Sequence, residues 1–343
     1  MKMMTVVLYW LGVPAVTLLV ACSNGVIQSP AANTSALQSM TFPVGAPLRN
    51  RAIFGAIQGA VSLSSHRGSW MSHDAKLNDL LYATSSGSAQ VYVYSYPSAK
   101  LEGILTGAEG PESDCIDKAG NIWIPDASRG DIRKYAHGGT SPIAVLNARG
   151  NDPFDCSVDP TTGNLAVINI FNVLIFRKAR GTPTTYSDPG MPSTYFGGYD
   201  NLGNLFVDGT NTGGTFQFAE LPKGSSGFTN FSLSLEGPGG VQWDGKYIDV
   251  GDFISNKIYQ VQVNSSGATI VGSTLLSGAH APWYQFTFPN LDNGGSGQAK
   301  KIIATDYGTG VASWNYPAGG YPLKVFDDGP TGPTGVVISP ARK

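Results

Sequence analysis

Gly120-Asn121-Ile122-Trp123-Ile124-Pro125-Asp126 is the stretch that decides how this chain is read. A glycine turn leads into a short apolar strand that ends on an acid. The same pattern returns in Gly163-Asn164-Leu165-Ala166-Val167-Ile168-Asn169 and in Gly203-Asn204-Leu205-Phe206-Val207-Asp208. It returns again in Gly245-Lys246-Tyr247-Ile248-Asp249-Val250-Gly251-Asp252 and in Ala299-Lys300-Lys301-Ile302-Ile303-Ala304-Thr305-Asp306. Upstream, Leu80-Leu81-Tyr82-Ala83-Thr84 occupies the same place with Thr at the strand end. From Thr84 the spacings are 42, 43, 39, 44 and 54 residues, the last enlarged by a Gly/Asn-rich insertion around 290–297.

Each copy carries neighbours of its own. A second strand follows, as in Val91-Tyr92-Val93-Tyr94 or Ile132-Arg133-Lys134-Tyr135, and then an outer one such as Pro142-Ile143-Ala144-Val145-Leu146. An inner strand precedes each glycine turn, as in Cys115-Ile116-Asp117 and Cys156-Ser157-Val158-Asp159. Four short strands recurring about every 42 residues predict an all-β, six-bladed β-propeller with four-stranded blades. An irregular β-sandwich would not align the Gly-Asn and Asp positions. Gly335-Val336-Val337-Ile338-Ser339 reads as an inner strand with no blade after it, so the C-terminal strand is expected to complete the first blade, which opens on Ser69-Trp70-Met71-Ser72.

Before the repeats, Lys2 and the apolar run Val6–Val20 lead to Leu19-Val20-Ala21-Cys22. This resembles a bacterial lipoprotein signal with its lipobox, which implies cleavage before Cys22, lipidation of its sulfur and export to the cell envelope, the outer membrane in a Gram-negative host. The apolar run is short for a membrane span. The expected organisation is a signal over 1–21, a Ser/Ala/Asn/Pro-rich tether or extension over 22–68 and the propeller over 69–343. Residues 52–57 fit either a short helix or a packed extension.

The 343 residues include 44 glycines and 22 prolines, with 13% charged side chains and a net charge of −2. Turn-rich, weakly charged and without a basic block, the chain excludes nucleic acid as an expected partner and suits glycan, peptide or protein contacts at the envelope. Besides Cys22 there are Cys115 and Cys156. Their odd offset from Asp117 and Asp159 sets them on opposite faces of their strands, so in adjacent blades they either converge or point apart. Convergence into a disulfide is the expectation in an oxidising compartment.

Gly120–Tyr135 resembles the NHL repeat and the blades of SMP-30/gluconolactonase-type propellers, and the resemblance spans about residues 69–341. It implies the six-bladed fold. The fold serves scaffolds, receptors and hydrolases alike. Lactonases of this type hold a divalent ion at the channel mouth with Glu, Asn and Asp, where it polarises a carbonyl and activates water. Glu112, Asp155 and Asn169 are the catalytic candidates on that basis, and Ca²⁺ or another divalent ion the candidate cofactor, although the family's full ligand pattern is not matched. The repeated Asp126, Asn169, Asp208, Asp252 and Asp306 are expected to bind turn backbone rather than metal. Differences between blades concentrate at the inner-strand entrances. There Glu112, Asp114, Tyr195, Tyr199, Gln242, Trp283, Tyr284 and Gln285 form the expected ligand-binding set, since rigid aromatics with amide donors suit sugars and peptides. No HExxH, GxSxG or Walker motif is present. The first expectation is therefore a non-catalytic, lipid-anchored binding or scaffold module, and the alternative a metal-dependent lactonase-type hydrolase.

Overall fold

The computed structural model describes residues 68–148, 152–279, 285–292, 296–306, 310–326 and 331–341. Cys22, the signal, the tether, Trp283 and Tyr284 lie outside them. The described residues form six antiparallel sheets. Blade 1 holds β2 (Asp79–Ser85), β3 (Gln90–Tyr96) and β4 (Leu101–Leu105), with β1 (Trp70–Met71) on its outer edge. Blade 2 holds β5 (Cys115–Ile116), β6 (Ile122–Asp126), β7 (Asp131–Tyr135) and β8 (Pro142–Asn147). Blade 3 holds β9 (Pro153–Val158), β10 (Leu165–Asn169), β11 (Asn172–Phe176) and β12 (Thr184–Tyr186). Blade 4 holds β13 (Ser193–Tyr199), β14 (Leu205–Thr210), β15 (Phe216–Leu221) and β16 (Thr229–Phe231). Blade 5 holds β17 (Val241–Trp243), β18 (Ile248–Asp252), β19 (Lys257–Asn264) and β20 (Gly267–Leu275). Blade 6 holds β21 (Phe286–Thr287), β22 (Lys301–Asp306), β23 (Gly310–Asn315) and β24 (Gly319–Phe326).

The remaining strand, β25 (Pro333–Ser339), is the inner strand of blade 1, with Thr84 opposite Gly335 and Leu80 opposite Ser339. The ring is closed by the C-terminal strand. Ser69–Ser72, read from sequence as the opening of blade 1, lies at the far side of that blade: Trp70 pairs with Ile104 and Met71 with Gly103. It adds a fifth strand and covers an edge that β4 would otherwise leave unpaired.

The near-continuous apolar strands follow from blade packing. Each blade is covered on both faces, and each buried apolar cluster lies between neighbouring blades. Trp123 and Ile132 of blade 2 pack on Val167 and Leu174 of blade 3, and Phe206 and Phe218 of blade 4 on Val241 and Val250 of blade 5. Cys115 and Cys156 are bonded within the first of these clusters, with Cα atoms 5.7 Å apart, so a covalent tie joins the inner strands of blades 2 and 3.

Two sets of aspartates hold the turns. Asp117, Asp159, Asp200 and Asp244 end the inner strands and accept N–H bonds from the turns that follow, such as Leu202 N and Asn204 N to Asp200 at 2.9 and 2.8 Å. The turn glycine needs a left-handed backbone, and at Gly203 (φ +90°) a Cβ would also sit 2.9 Å from the Thr161 hydroxyl. The second set ends the next strand. Asp126 accepts from Glu109 N and Gly110 N (both 2.9 Å), Asp208 from Phe196 N and Gly239 N, and Asp252 from Glu236 N and Ile254 N. These carboxylates clamp the linkers that enter each blade as well as the following turns, which is why the acid recurs.

Candidate functional site

Within each antiparallel blade the chain alternates direction, so connections fall on two faces. The blade-to-blade linkers and the hairpins between second and third strands share the entrance face. The turns after the first and third strands share the opposite face.

At the ring axis each inner strand touches the next all the way round, β25 to β5, β9, β13, β17, β21 and back to β25. The approach is close enough to require missing side chains. A Cβ on Gly198 would lie 2.2 Å from Val241 O, and one on Gly335 would lie 2.6 Å from Ser113 Cα. Gln285, just before β21, reaches across what space is left. Its Nε2 donates to Asp155 Oδ1 at 3.1 Å, and its Oε1 accepts from Asp114 N and Val336 N, each at 3.3 Å. One side chain from blade 6 thus ties blades 1, 2 and 3. Gly197 N of blade 4 donates to the other Asp155 oxygen at 2.9 Å.

This axial cluster is acidic and buried. Burial pushes Asp155 up to about 7, with the Gly197 N–H opposing it. Desolvation raises Asp292 to about 6, opposed by its bonds from Thr287 and Ile338 N. Asp114 is 1% exposed, neither carboxyl oxygen has a hydrogen-bond partner among the described residues, and burial first, then the charges of Asp292 and Asp155, hold it well above the ordinary carboxylate range. A carboxyl without donors in such a place is stable when protonated.

The catalytic candidates are placed as follows. Asp155 has both oxygens committed to N–H donors. Asn169, fully buried at the end of β10, points its amide nitrogen at Asn172 Oδ1, 2.9 Å away. Glu112 is half-buried in the entrance linker, its carbonyl accepting from Thr84. A divalent ion of the lactonase kind needs free oxygen donors converging on one point. N–H groups already occupy Asp155, and the described residues contain no group of three His, Cys, Asp or Glu placed to hold a metal. Asp155, with both oxygens accepting from N–H groups, does not fit that ion.

The aromatic and amide candidates divide. Tyr195, half-buried near the entrance end of β13, stacks edge-on against Phe154 with ring centroids 6.0 Å apart. Tyr199 ends the same strand on the opposite face and is buried between blades 3 and 4, because a seven-residue strand separates its ends across the ring's thickness. Gln242 is half-buried within β17, opposite Asp249. Sequence reasoning missed Phe171 and Ile254, which stand 59% and 52% exposed at hairpin tips of blades 3 and 5 on the entrance face. An apolar residue at the tip of a turn, where packing cannot use it, was the available signal. With Tyr195 and Glu112 they make a rigid apolar and acidic rim suited to a protein or glycan partner.

These elements define the class as a six-bladed β-propeller with a filled axis. Among solved structures, a chain from the crystal structure of a nidogen/laminin complex is similar over 78% of this chain and 100% of its own, at 13% identity and a TM-score of 0.58. A functionally unknown protein from Desulfotomaculum acetoxidans DSM 771 is similar over 77% and 100%, at 10% identity and a TM-score of 0.51. Likeness at such identities shows the fold. No family model and no curated protein matches the sequence.

Proposed function

We propose that this chain is a lipid-anchored β-propeller of the bacterial cell envelope, built of NHL-type blades, that serves as a non-catalytic binding or scaffold module. The lipobox-like Leu19–Cys22 supports the address. The filled axis carries the non-catalytic reading: Asp155, which a metal-dependent propeller hydrolase would free for chemistry, is here spent on joining blades. The binding surface is the entrance face, with Phe171, Ile254 and Tyr195 as apolar contacts. A similar fold occurs in a nidogen/laminin complex, an assembly of proteins, which agrees with a protein-binding use.

The test is thermal unfolding of the chain from Ser23 onward, with Ca²⁺ and then with a chelator, beside a panel of lactones. A midpoint unmoved by either, and no turnover, is the expected result. A ligand at about 100 times its Kd stabilises by about 2.7 kcal/mol. A Ca²⁺-dependent rise of that size, reversed by the chelator and accompanied by hydrolysis, would overturn the proposal and install the lactonase. Replacing Cys22 with serine is expected to move the protein from the membrane fraction to the soluble one.

A further inference from the structure

The net charge of −2 conceals a segregation by face. On the face opposite the entrances every blade contributes an exposed cation: Lys76, Lys118, Lys178, Lys223, Lys246 and Lys301 in ring order. Under blade 3 the cations cluster, since Arg177 and Arg180 flank Lys178 and the three line a recess of about 400 Å³. Acids on this face are mostly spent on structure. Asp117 pairs with Lys134 at 2.7 Å, Asp159 and Asp200 are buried holding their turns, and Asp244 does the same in blade 5. Exposed Asp74 and half-buried Glu220 are the chief remainder. The entrance face exposes the acids Asp152 and Glu236, and Glu109 paired with Arg129 at 2.8 Å.

The repeat itself presents the cations. Asn164 Oδ1 accepts from Lys178 N at 2.9 Å and Asn204 Oδ1 from Lys223 N at 3.0 Å, so the asparagine of the Gly-Asn signature fixes a lysine at the same place in two successive blades. Lys223 Nζ then reaches Thr161 Oγ1 of blade 3 at 2.8 Å, which joins the two turns into one surface. Beside them Leu202 projects from its turn, 64% exposed, and Leu77 under blade 1 is 77% exposed.

We infer that this face docks on an anionic lipid surface, its lysines and arginines meeting headgroup phosphates and Leu77 and Leu202 entering the interface. Two features select a bilayer over other anions. The cations are spread around the whole ring, with one cluster under blade 3, rather than gathered along one groove. Apolar tips stand among the charges, and a headgroup layer takes up both kinds of group. The inference concerns the face opposite the proposed binding rim and holds whatever ligand that rim takes and whether or not Cys22 carries lipid.

Every strand of the ring lies between Trp70 and Ser339, so the chain from Ser23 onward keeps the whole fold and is the material for the test. Its partition is measured onto vesicles of phosphatidylcholine alone and onto vesicles with about a quarter phosphatidylglycerol. Binding to the anionic vesicles only, weakening as salt rises, is expected. At about fivefold per cation, the Arg177→Gln, Lys178→Gln, Arg180→Gln variant should lose about a hundredfold in partition. Lys257→Gln on the entrance side should lose little, and both variants should unfold at the parent's midpoint, since all four residues lie outside the blade cores. Equal binding to both vesicle types, no binding to either, or an unchanged triple variant would overturn the inference. So would a preference for duplex DNA over vesicles of matched charge, which would assign the face to a polyanion. A thermal midpoint that responds to Ca²⁺ bears on the proposed function and leaves this result untouched.

Discussion

Replacing Gln285 with leucine keeps the volume at the ring axis and removes its three side-chain hydrogen bonds. Asp114 N and Val336 N then stand buried without their acceptor. Both bonds are long, so each is placed at the lower end of the usual penalty, about 1 kcal/mol. Asp155 loses one of its donors, and a bond to an ionised group is worth about 2 kcal/mol. The expected cost is about 4 kcal/mol above pH 7, where Asp155 is charged. With a urea dependence of about 3 kcal/mol per molar, the unfolding midpoint should fall by somewhat more than 1 M. At about pH 5 Asp155 is protonated, so the charged part of the loss disappears and the deficit should shrink to about half. Urea titrations of parent and variant at the two pH values measure both numbers. A variant within about 0.3 M of the parent at each pH would mean that the amide is not what joins blades 1, 2, 3 and 6, and the account of the axis would fail.

Two further outcomes follow from the same interior. Asp155 at about 7 and Asp292 at about 6 both lie above the unfolded value of 3.8, so the unfolded chain releases these protons first as pH rises. Their stabilisation is complete below about pH 4 and is lost by pH 7 to 8, about 4 kcal/mol of it through Asp155. Asp117 and Asp159, held below the ordinary value by their hydrogen bonds, act oppositely at the acid end, and the unfolding midpoint should therefore peak near about pH 4; a maximum above pH 7 would contradict the axial assignments. Reducing the bond between Cys115 and Cys156, 41 residues apart, frees a loop whose closure is worth about 4 kcal/mol, so a Cys115→Ala, Cys156→Ala variant should unfold at clearly lower urea; an unshifted midpoint would refute a covalent role for the pair.

The ring was legible because its grammar is local. A carboxylate that must reach backbone N–H groups two to four residues on, and a glycine that must turn left-handed, recur at fixed places in the sequence wherever a blade repeats. The axis was not legible in that way. Gln285 could be marked as an entrance residue, yet its partners are Asp114, Asp155 and Val336, brought together by closure of the ring and by no spacing along it. Tyr195 and Tyr199 stand four residues apart in one aromatic stretch, and only the seven-residue length of β13 sets them on opposite faces. Trp70 and Met71 were taken to open blade 1, since nothing in two residues tells an inner strand from an outer edge. The charged face escaped notice because its cations are dispersed one turn per blade, and a chain-wide sum of −2 averages them away.

The closing of blade 1 by β25 also sets an order in time. Thr84 waits for Gly335 in β25, and the ladder of β2 with β25 is the most distant in sequence among the described sheets, while the hairpins of the other blades need partners only a few residues away. A nascent chain can therefore assemble sheets progressively and still expose the inner edge of its first blade until β25 arrives. Chains cut before β25 would keep most of their strands and lack the seal. Quality control that recognises unpaired strand edges would find in that edge a simple sign that β25 had not yet docked.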